Sequence, residues 1–189
     1  MNKISLITGG ARSGKSSFAE EKAKNYGEKI LYLATAIPFD LEMDDRIKRH
    51  KSSRPSNWQT WEGYRNLDKI ITEKSDQFDG ILIDCITIMV TNIMLSHTDV
   101  DFDNMDTFDL KKIEEIETDI KKEIDQLIAA AKTSRCPIII VTNEVGLGIV
   151  PENPVARAFR DFAGRANQML GRAADEVFLA VCGVTMKIK

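Results

Sequence analysis

Short apolar runs rich in β-branched residues alternate along the chain with longer stretches whose apolar positions recur every three or four residues. Ile4-Ser5-Leu6-Ile7-Thr8, Ile30-Leu31-Tyr32-Leu33-Ala34, Ile81-Leu82-Ile83-Asp84, Ile138-Ile139-Ile140-Val141-Thr142 and Val177-Phe178-Leu179-Ala180-Val181 read as strands. The runs are nearly continuous, which fits strands buried on both faces and therefore a parallel sheet covered by helices. Val184 to Ile188 follows Gly183 so closely that it predicts an antiparallel edge hairpin with the preceding strand. Between Leu110 and Ala131, Ile113, Ile116, Ile120, Ile124, Leu127 and Ala131 fall on one helical stripe. From Pro154 to Ala174 the same spacing recurs in Ala156, Phe159, Ala163, Ala166, Leu170 and Ala173, with Arg157, Arg160, Arg165 and Arg172 off the stripe, facing a phosphate-bearing ligand or solvent. The fold class is α/β: a mostly parallel sheet with helices on both faces and a C-terminal antiparallel edge hairpin.

A chain of 189 residues, 43% hydrophobic and 29% charged, is expected to form a single globular domain over residues 1–189. No repeat, low-complexity tract or Pro/Gly/Ser linker divides it. Lys and Arg number 26 against 29 Asp and Glu, a net charge of −3 that argues against a nucleic-acid partner. The most apolar stretch, residues 80–98, is interrupted by Asp84, Thr87, Thr91, Asn92, Ser96 and His97, so no membrane span is expected. No signal-peptide core precedes Gly9-Gly10. Cys85, Cys136 and Cys182 are odd in number and far apart, which predicts buried, reduced thiols in a cytoplasmic protein. The Asp-rich segment His97 to Asp109 reads as an exposed loop or a helix start.

Gly9-Gly10-Ala11-Arg12-Ser13-Gly14-Lys15-Ser16 fits G-x-x-x-x-G-K-[ST] and lies directly after a strand and before the helical segment Ser17 to Asn25. In that context the glycines let backbone N–H groups close around phosphate oxygens, and the helix adds the positive end of its dipole. Lys15 is placed to reach the β- and γ-phosphates and the Ser16 hydroxyl to ligate Mg2+. Asp84, closing its strand on a neighbouring position, is the candidate carboxylate for the metal or its waters. Switch GTPases read guanine with Asn-Lys-x-Asp after a strand; here the comparable place is Thr142-Asn143-Glu144-Val145, which argues against that class.

Arg46, Lys48, Arg49, Lys51 and Arg54 surround His50 within the segment Asp40 to Arg54. Such cations keep an imidazole neutral and therefore nucleophilic, and they stabilise a triphosphate and a departing pyrophosphate. A solvated helix face, or a phosphate patch in which His50 is incidental, fits the same residue types.

Three blocks carry a family resemblance. They are Ile7 to Ser16; the residues Tyr32-Leu33-Ala34-Thr35, Glu42-Met43, Arg46-Ile47, His50-Lys51, Arg54-Pro55, Trp58 and Thr60-Trp61-Glu62; and Val141 to Asn153 continuing into Phe159-Arg160-Asp161, Ala163-Gly164-Arg165 and Asn167-Gln168. In these the chain resembles the bifunctional adenosylcobinamide kinase/adenosylcobinamide-phosphate guanylyltransferases of cobalamin biosynthesis. The resemblance implies phosphorylation of the aminopropanol hydroxyl of adenosylcobinamide with ATP or GTP, then GMP transfer from GTP to give adenosylcobinamide-GDP. It implies a GMP-histidine intermediate at His50, and nucleotide contacts from Gly9, Gly10, Ala11, Arg12, Ser13, Gly14, Lys15, Ser16, Ala34, Thr35, Ala36, Lys51, Ser52, Ser53, Arg54, Glu62 and Asp84. It also implies a P-loop α/β domain assembled as a homotrimer. Ala36 stands where the family often has serine, and Asp84 where members can carry Glu. Two other readings compete: a monofunctional P-loop kinase with a structural His50, and a nucleotide-dependent module acting on nucleic acid.

Overall fold

The computed structural model describes residues 3–37, 55–98, 100, 102 and 109–189. The strands are β1 (Ile4–Gly9), β2 (Ile30–Ala34), β3 (Gln59–Glu62), β4 (Gly80–Asp84), β5 (Ile138–Val141), β6 (Glu176–Val181) and β7 (Val184–Lys187). The helices are α1 (Lys15–Lys24), α2 (Leu67–Lys74), α3 (Ile86–Leu95), α4 (Leu110–Thr133) and α5 (Pro154–Ala173). All strands join one sheet in the order β3-β2-β4-β5-β1-β6-β7. Every pairing is parallel except β6 with β7, which forms the expected edge hairpin.

Strand alternation divides the core in two. Ile7, Ile30, Tyr32, Leu82, Ile139 and Val141 meet Ala19 and Ala23 of α1. Leu6, Leu31, Leu33, Ile81, Ile83, Ile138 and Ile140 face the other side, where residues of α2, α3, α4 and α5 cover them. Helix starts are set locally: Asp109 Oδ1 accepts from the Lys112 N–H at 2.8 Å, and Asn153 Oδ1 accepts from the Ala156 N–H at 3.0 Å with Pro154 in the first turn of α5.

The expected strands and the long helices are present; β3, α2 and α3 are additions. In β3 the burial is that of an exposed edge, so no apolar run marks it. In α3, Ile86-Thr87-Ile88-Met89-Val90 is β-branched and apolar nearly all round, because the helix is wedged between the sheet and α4 and α5. A helix buried on most sides has no polar face to display a period. The buried stripe of α5 runs through Ala158, Phe162, Ala163, Ala166 and Leu170, displacing the expected one at Ala156, Phe159 and Ala173, which are only partly buried. Cys85 and Cys136 are buried free thiols, but Cys182 is exposed at the β6–β7 turn, contrary to expectation. Of residues 97–109, those described include buried Val100, so the segment is not uniformly exposed. No described helix is long and apolar enough to cross a membrane.

Candidate active site

The phosphate loop sits at the C-terminal end of β1, inside the sheet, with β5 on one side and β6 on the other. Gly9 (φ +151°) passes so close to β6 that an added Cβ would lie 2.3 Å from the Ala180 carbonyl oxygen. The loop closes through Ser13 N–H donating to Gly10 O at 3.3 Å and Phe18 N–H donating to Gly14 O at 3.0 Å. Arg12 turns at φ +55° and Gly14 at φ +94°. The edge hairpin supports the loop from behind: Gly183 N–H donates to Ser13 O at 3.0 Å. Phe18 of α1 packs on Phe178 of β6 with ring centroids 5.2 Å apart, anchoring the helix that the loop feeds.

Lys15 opens α1, is 8% exposed, and its Nζ donates to Gly10 O at 3.0 Å. Burial lowers its pKa from the ordinary 10.5, while the Asp84 carboxylate pulls it back up. Lys15 and Asp84 therefore share one electrostatic environment. Ser16 follows in the first turn, partly buried.

Asp84 ends β4, which does not adjoin the P-loop strand as expected; β5 lies between them. Its register partner on β2 is Ala34, and Ala34 in turn pairs with Glu62 on β3, so these three residues align along the C-terminal edge of the sheet. Tyr32 projects from β2 and its phenol donates to Asp84 Oδ2 at 2.7 Å. Burial, with Asp84 adding to it, pushes the Cys85 thiol up to about 12, which makes it inert as a nucleophile.

Thr35 is fully buried. Its hydroxyl donates to Cys85 O at 2.7 Å and accepts from the Cys85 N–H at 2.9 Å, while its N–H donates to Asp84 O at 3.1 Å. Asn92 Nδ2 donates to the Thr35 carbonyl at 2.7 Å. In this arrangement the Thr35 side chain bolts β2 to the β4–α3 junction, and Ala36 beyond it is partly exposed. His50, Lys51, Ser52, Ser53 and Arg54, with the rest of the basic segment, lie outside the described residues.

The arginines of α5 have structural partners. Arg157 donates to Pro151 O and Glu152 O, Arg160 to Gly148 O, Arg172 to Gln168, and Arg165 pairs with Glu117 of α4. Tyr32 carries no sequence signal of its role, since a tyrosine inside an apolar run reads as core.

A glycine-bearing loop between a buried parallel strand and a helix, with an invaginated lysine and a strand-end carboxylate nearby, defines a P-loop nucleotide-binding protein. The chain belongs to the cobinamide kinase/cobinamide phosphate guanyltransferase family: the CobU family model matches residues 5–188. It is 48% identical over 186 residues to the bifunctional adenosylcobalamin biosynthesis protein CobU of Salmonella typhimurium, covering 97% of this chain and 98% of that one. The Escherichia coli protein of the same name is 45% identical over 187 residues, covering 97% and 98%. A solved RadB recombinase aligns with a TM-score of 0.46 at 13% identity, over 94% of this chain and 73% of that one.

Proposed function

We propose that this chain performs both reactions of its family at one phosphate loop. It phosphorylates the aminopropanol hydroxyl of adenosylcobinamide with ATP or GTP, then transfers GMP from GTP to that phosphate, giving adenosylcobinamide-GDP. The observation that carries the reading is the loop itself: Gly9 to Ser16 folded between β1 and α1, with Lys15 and Asp84 in one electrostatic environment, in a chain matched to the family over residues 5–188.

In the kinase step Lys15 and the backbone N–H groups of residues 10–16 bind the phosphates and neutralise charge developing on them. Mg2+ suits this site: the Ser16 hydroxyl and the Asp84 carboxylate are hard oxygen donors, and Mg2+ in phosphate sites needs only one or two protein oxygens. When bound, Mg2+ supplies Lewis-acid stabilisation of the phosphoryl oxygens. Tyr32 orients the Asp84 carboxylate through its hydrogen bond. In the transferase step His50 attacks the α-phosphorus, the bond to the α,β-bridging oxygen breaks, and pyrophosphate leaves. A phosphate oxygen of adenosylcobinamide phosphate then displaces His50. Ala34, Thr35, Ala36, Lys51 to Arg54 and Glu62 complete the nucleotide site, Thr35 through its backbone.

The single sheet supports one domain over 1–189. Exposure of Leu147, Ile149 and Val150 before α5, of Val184 and Met186 along β7 and of Ile188 just beyond it supports an assembly, and the family's homotrimer is the one proposed. Consumption of nucleoside triphosphates and the buried free thiols Cys85 and Cys136 support a cytoplasmic setting.

Purified protein incubated with α-labelled or γ-labelled GTP and Mg2+ tests the reading. Label from the α-position alone, stable to base, labile to acid and lost in His50→Ala while cobinamide phosphorylation persists, is expected. GTP binding with no adduct would leave only a P-loop kinase.

A further inference from the structure

Beyond Val141 the chain continues to pair with β1: Thr142 N–H donates to Ile7 O and Glu144 N–H to Gly9 O, each at 3.0 Å. The register Val141 with Ile7 therefore extends to set Asn143 beside Gly9, the first residue of the phosphate loop. On its other side Val141 is level with Asp84. Asn143 thus lies in the gap between the loop and the strand-end carboxylate. Alternation decides its face: Ile139 and Val141 belong with α1, whereas Ile138 and Ile140 belong with the opposite helices. Asn143 accordingly projects to the α1 side, as does Asp84, two residues after Leu82 and bonded to Tyr32 of the same cluster.

The peptide of Asn143 is clamped from both sides. Its N–H donates to Thr87 Oγ1 at 2.7 Å and its carbonyl accepts from Asn167 Nδ2 at 3.0 Å. Thr142 donates to Asn167 Oδ1 at 2.7 Å, and the Thr87 and Thr142 hydroxyls lie 3.2 Å apart. Side chains from α3 and α5 are thereby committed to fixing one backbone position at the end of β5. The side chain they fix is not itself used in the fold: Asn143 Oδ1 is buried and has no hydrogen-bond partner among the described residues. A buried acceptor left without a donor is unfavourable, and a ligand that supplies the donor removes that penalty.

We infer that Asn143 is a specificity-determining residue of the kinase step, its amide oxygen accepting the hydrogen bond of the acceptor alcohol and holding that oxygen in line with the γ-phosphorus. This rests on the functional reading above. The atom's chemistry selects the ligand group: ionised phosphoryl oxygens bring no hydrogen, whereas an alcohol brings one. An amide is not a base, so its part is orientation. The alcohol oxygen bonds to the γ-phosphorus, the bond from that phosphorus to the β,γ-bridging oxygen breaks, and the nucleoside diphosphate leaves with the electron pair. The alcohol proton passes to a phosphoryl oxygen and then to solvent. Thr87, Thr142 and Asn167 are positioning residues that act through Asn143.

The test measures three quantities on the full chain: phosphorylation of adenosylcobinamide by γ-labelled GTP, GTP affinity, and acid-labile GMP labelling by α-labelled GTP. Asn143→Ala is expected to lower kcat for phosphorylation about 10- to 100-fold. GTP affinity and GMP labelling are expected to stay within about twofold of wild type, because the lost contact is to the acceptor. Asn143→Ser, which keeps an accepting oxygen, is expected to fall between Asn143→Ala and wild type, and Thr87→Val to lower the same kcat in a folded protein. Unchanged phosphorylation in Asn143→Ala overturns the inference, as does an equal fall in all three quantities for both Asn143 variants. Wild-type protein that phosphorylates no cobinamide overturns the functional reading and the inference with it; failure of the inference alone leaves wild-type turnover intact.

Discussion

The phenol of Tyr32 donates a 2.7 Å hydrogen bond to the carboxylate of Asp84, across the β2–β4 pairing and 52 residues along the chain. Tyr32 is 2% exposed, so the bond is anchored in the core rather than at the rim of the site. Removing the hydroxyl leaves Asp84 free to change rotamer while the ring still fills its place. Tyr32→Phe is expected to lose about 1 kcal/mol of stability. A Mg2+ titration of either activity should show a higher requirement and about tenfold lower turnover, in line with loss of an orienting contact to the carboxylate proposed above to hold the metal. An unaltered Mg2+ dependence would separate Tyr32 from the metal site.

Gly183 supports the phosphate loop from the neighbouring hairpin. It adopts φ +81° in the β6–β7 turn, and its N–H bonds to Ser13 O. Gly183→Val forces a β-branched residue into the left-handed region, at a cost of about 1–2 kcal/mol, and shifts the turn. Nucleotide affinity, read by titration calorimetry, should weaken about 5- to 10-fold, the effect of misplacing one wall of a preorganised site. Gly183→Asn, which tolerates that conformation, should bind as wild type. Lys187→Ala on the same hairpin, whose ammonium bonds Glu176, should lose stability without losing affinity.

The opposite end of the sheet holds an ion cluster. Glu176 opens β6 and accepts from Lys3, Lys187 and Lys22 at 2.7, 2.7 and 3.3 Å. Burial pushes the carboxyl up, but bonds from Lys187, Lys3 and Lys22 outweigh it and hold the pKa at about 2 against the ordinary 4.5. Since the folded pKa is depressed, the stabilisation is present above pH 4.5 and is lost as pH falls from 4.5 towards 2. Glu176→Gln should cost about 1–2 kcal/mol at neutral pH in chemical denaturation, less than a fully buried pair because Lys3 and Lys187 are half exposed. The gap between variant and wild type should close across that acid window.

Lys15 sets stability against function. Burial lowers its pKa, so the folded chain disfavours the ammonium, and stability rises as pH climbs through the folded and then the unfolded pKa. Lys15→Met is therefore expected to raise stability by about 1 kcal/mol while abolishing productive nucleotide binding. In the wild type, affinity for GTP should decline with rising pH from below the ordinary lysine value of 10.5 upward, because phosphate binds the protonated form. A variant less stable than wild type would show that the bond to Gly10 O outweighs desolvation.

Much of this protein is legible locally. The β-branched runs at 4–8, 30–34, 81–84 and 138–142 can do little other than form buried strands, and Gly9 to Ser16 between strand and helix is a phosphate loop because its glycines, its lysine and the following helix are contiguous. The α4 stripe is legible too, since one face of a 24-residue helix is wetted and the period shows. Where burial is all-round or absent, the period vanishes, which is why α3 and β3 are found only in the structure. Strand order is likewise invisible in sequence: the crossover connections, not local propensity, insert β5 between the loop strand and the Asp84 strand. That insertion brings Asn143 beside Gly9, lets Thr87 and Asn167 meet it from 56 and 24 residues away, and sets Tyr32 on Asp84. The sequence alone determined the strands and the phosphate loop, because backbone preference and a contiguous motif act over a few residues. The company the loop keeps was decided by tertiary structure alone, because only packing over long separations brings those side chains within hydrogen-bond reach.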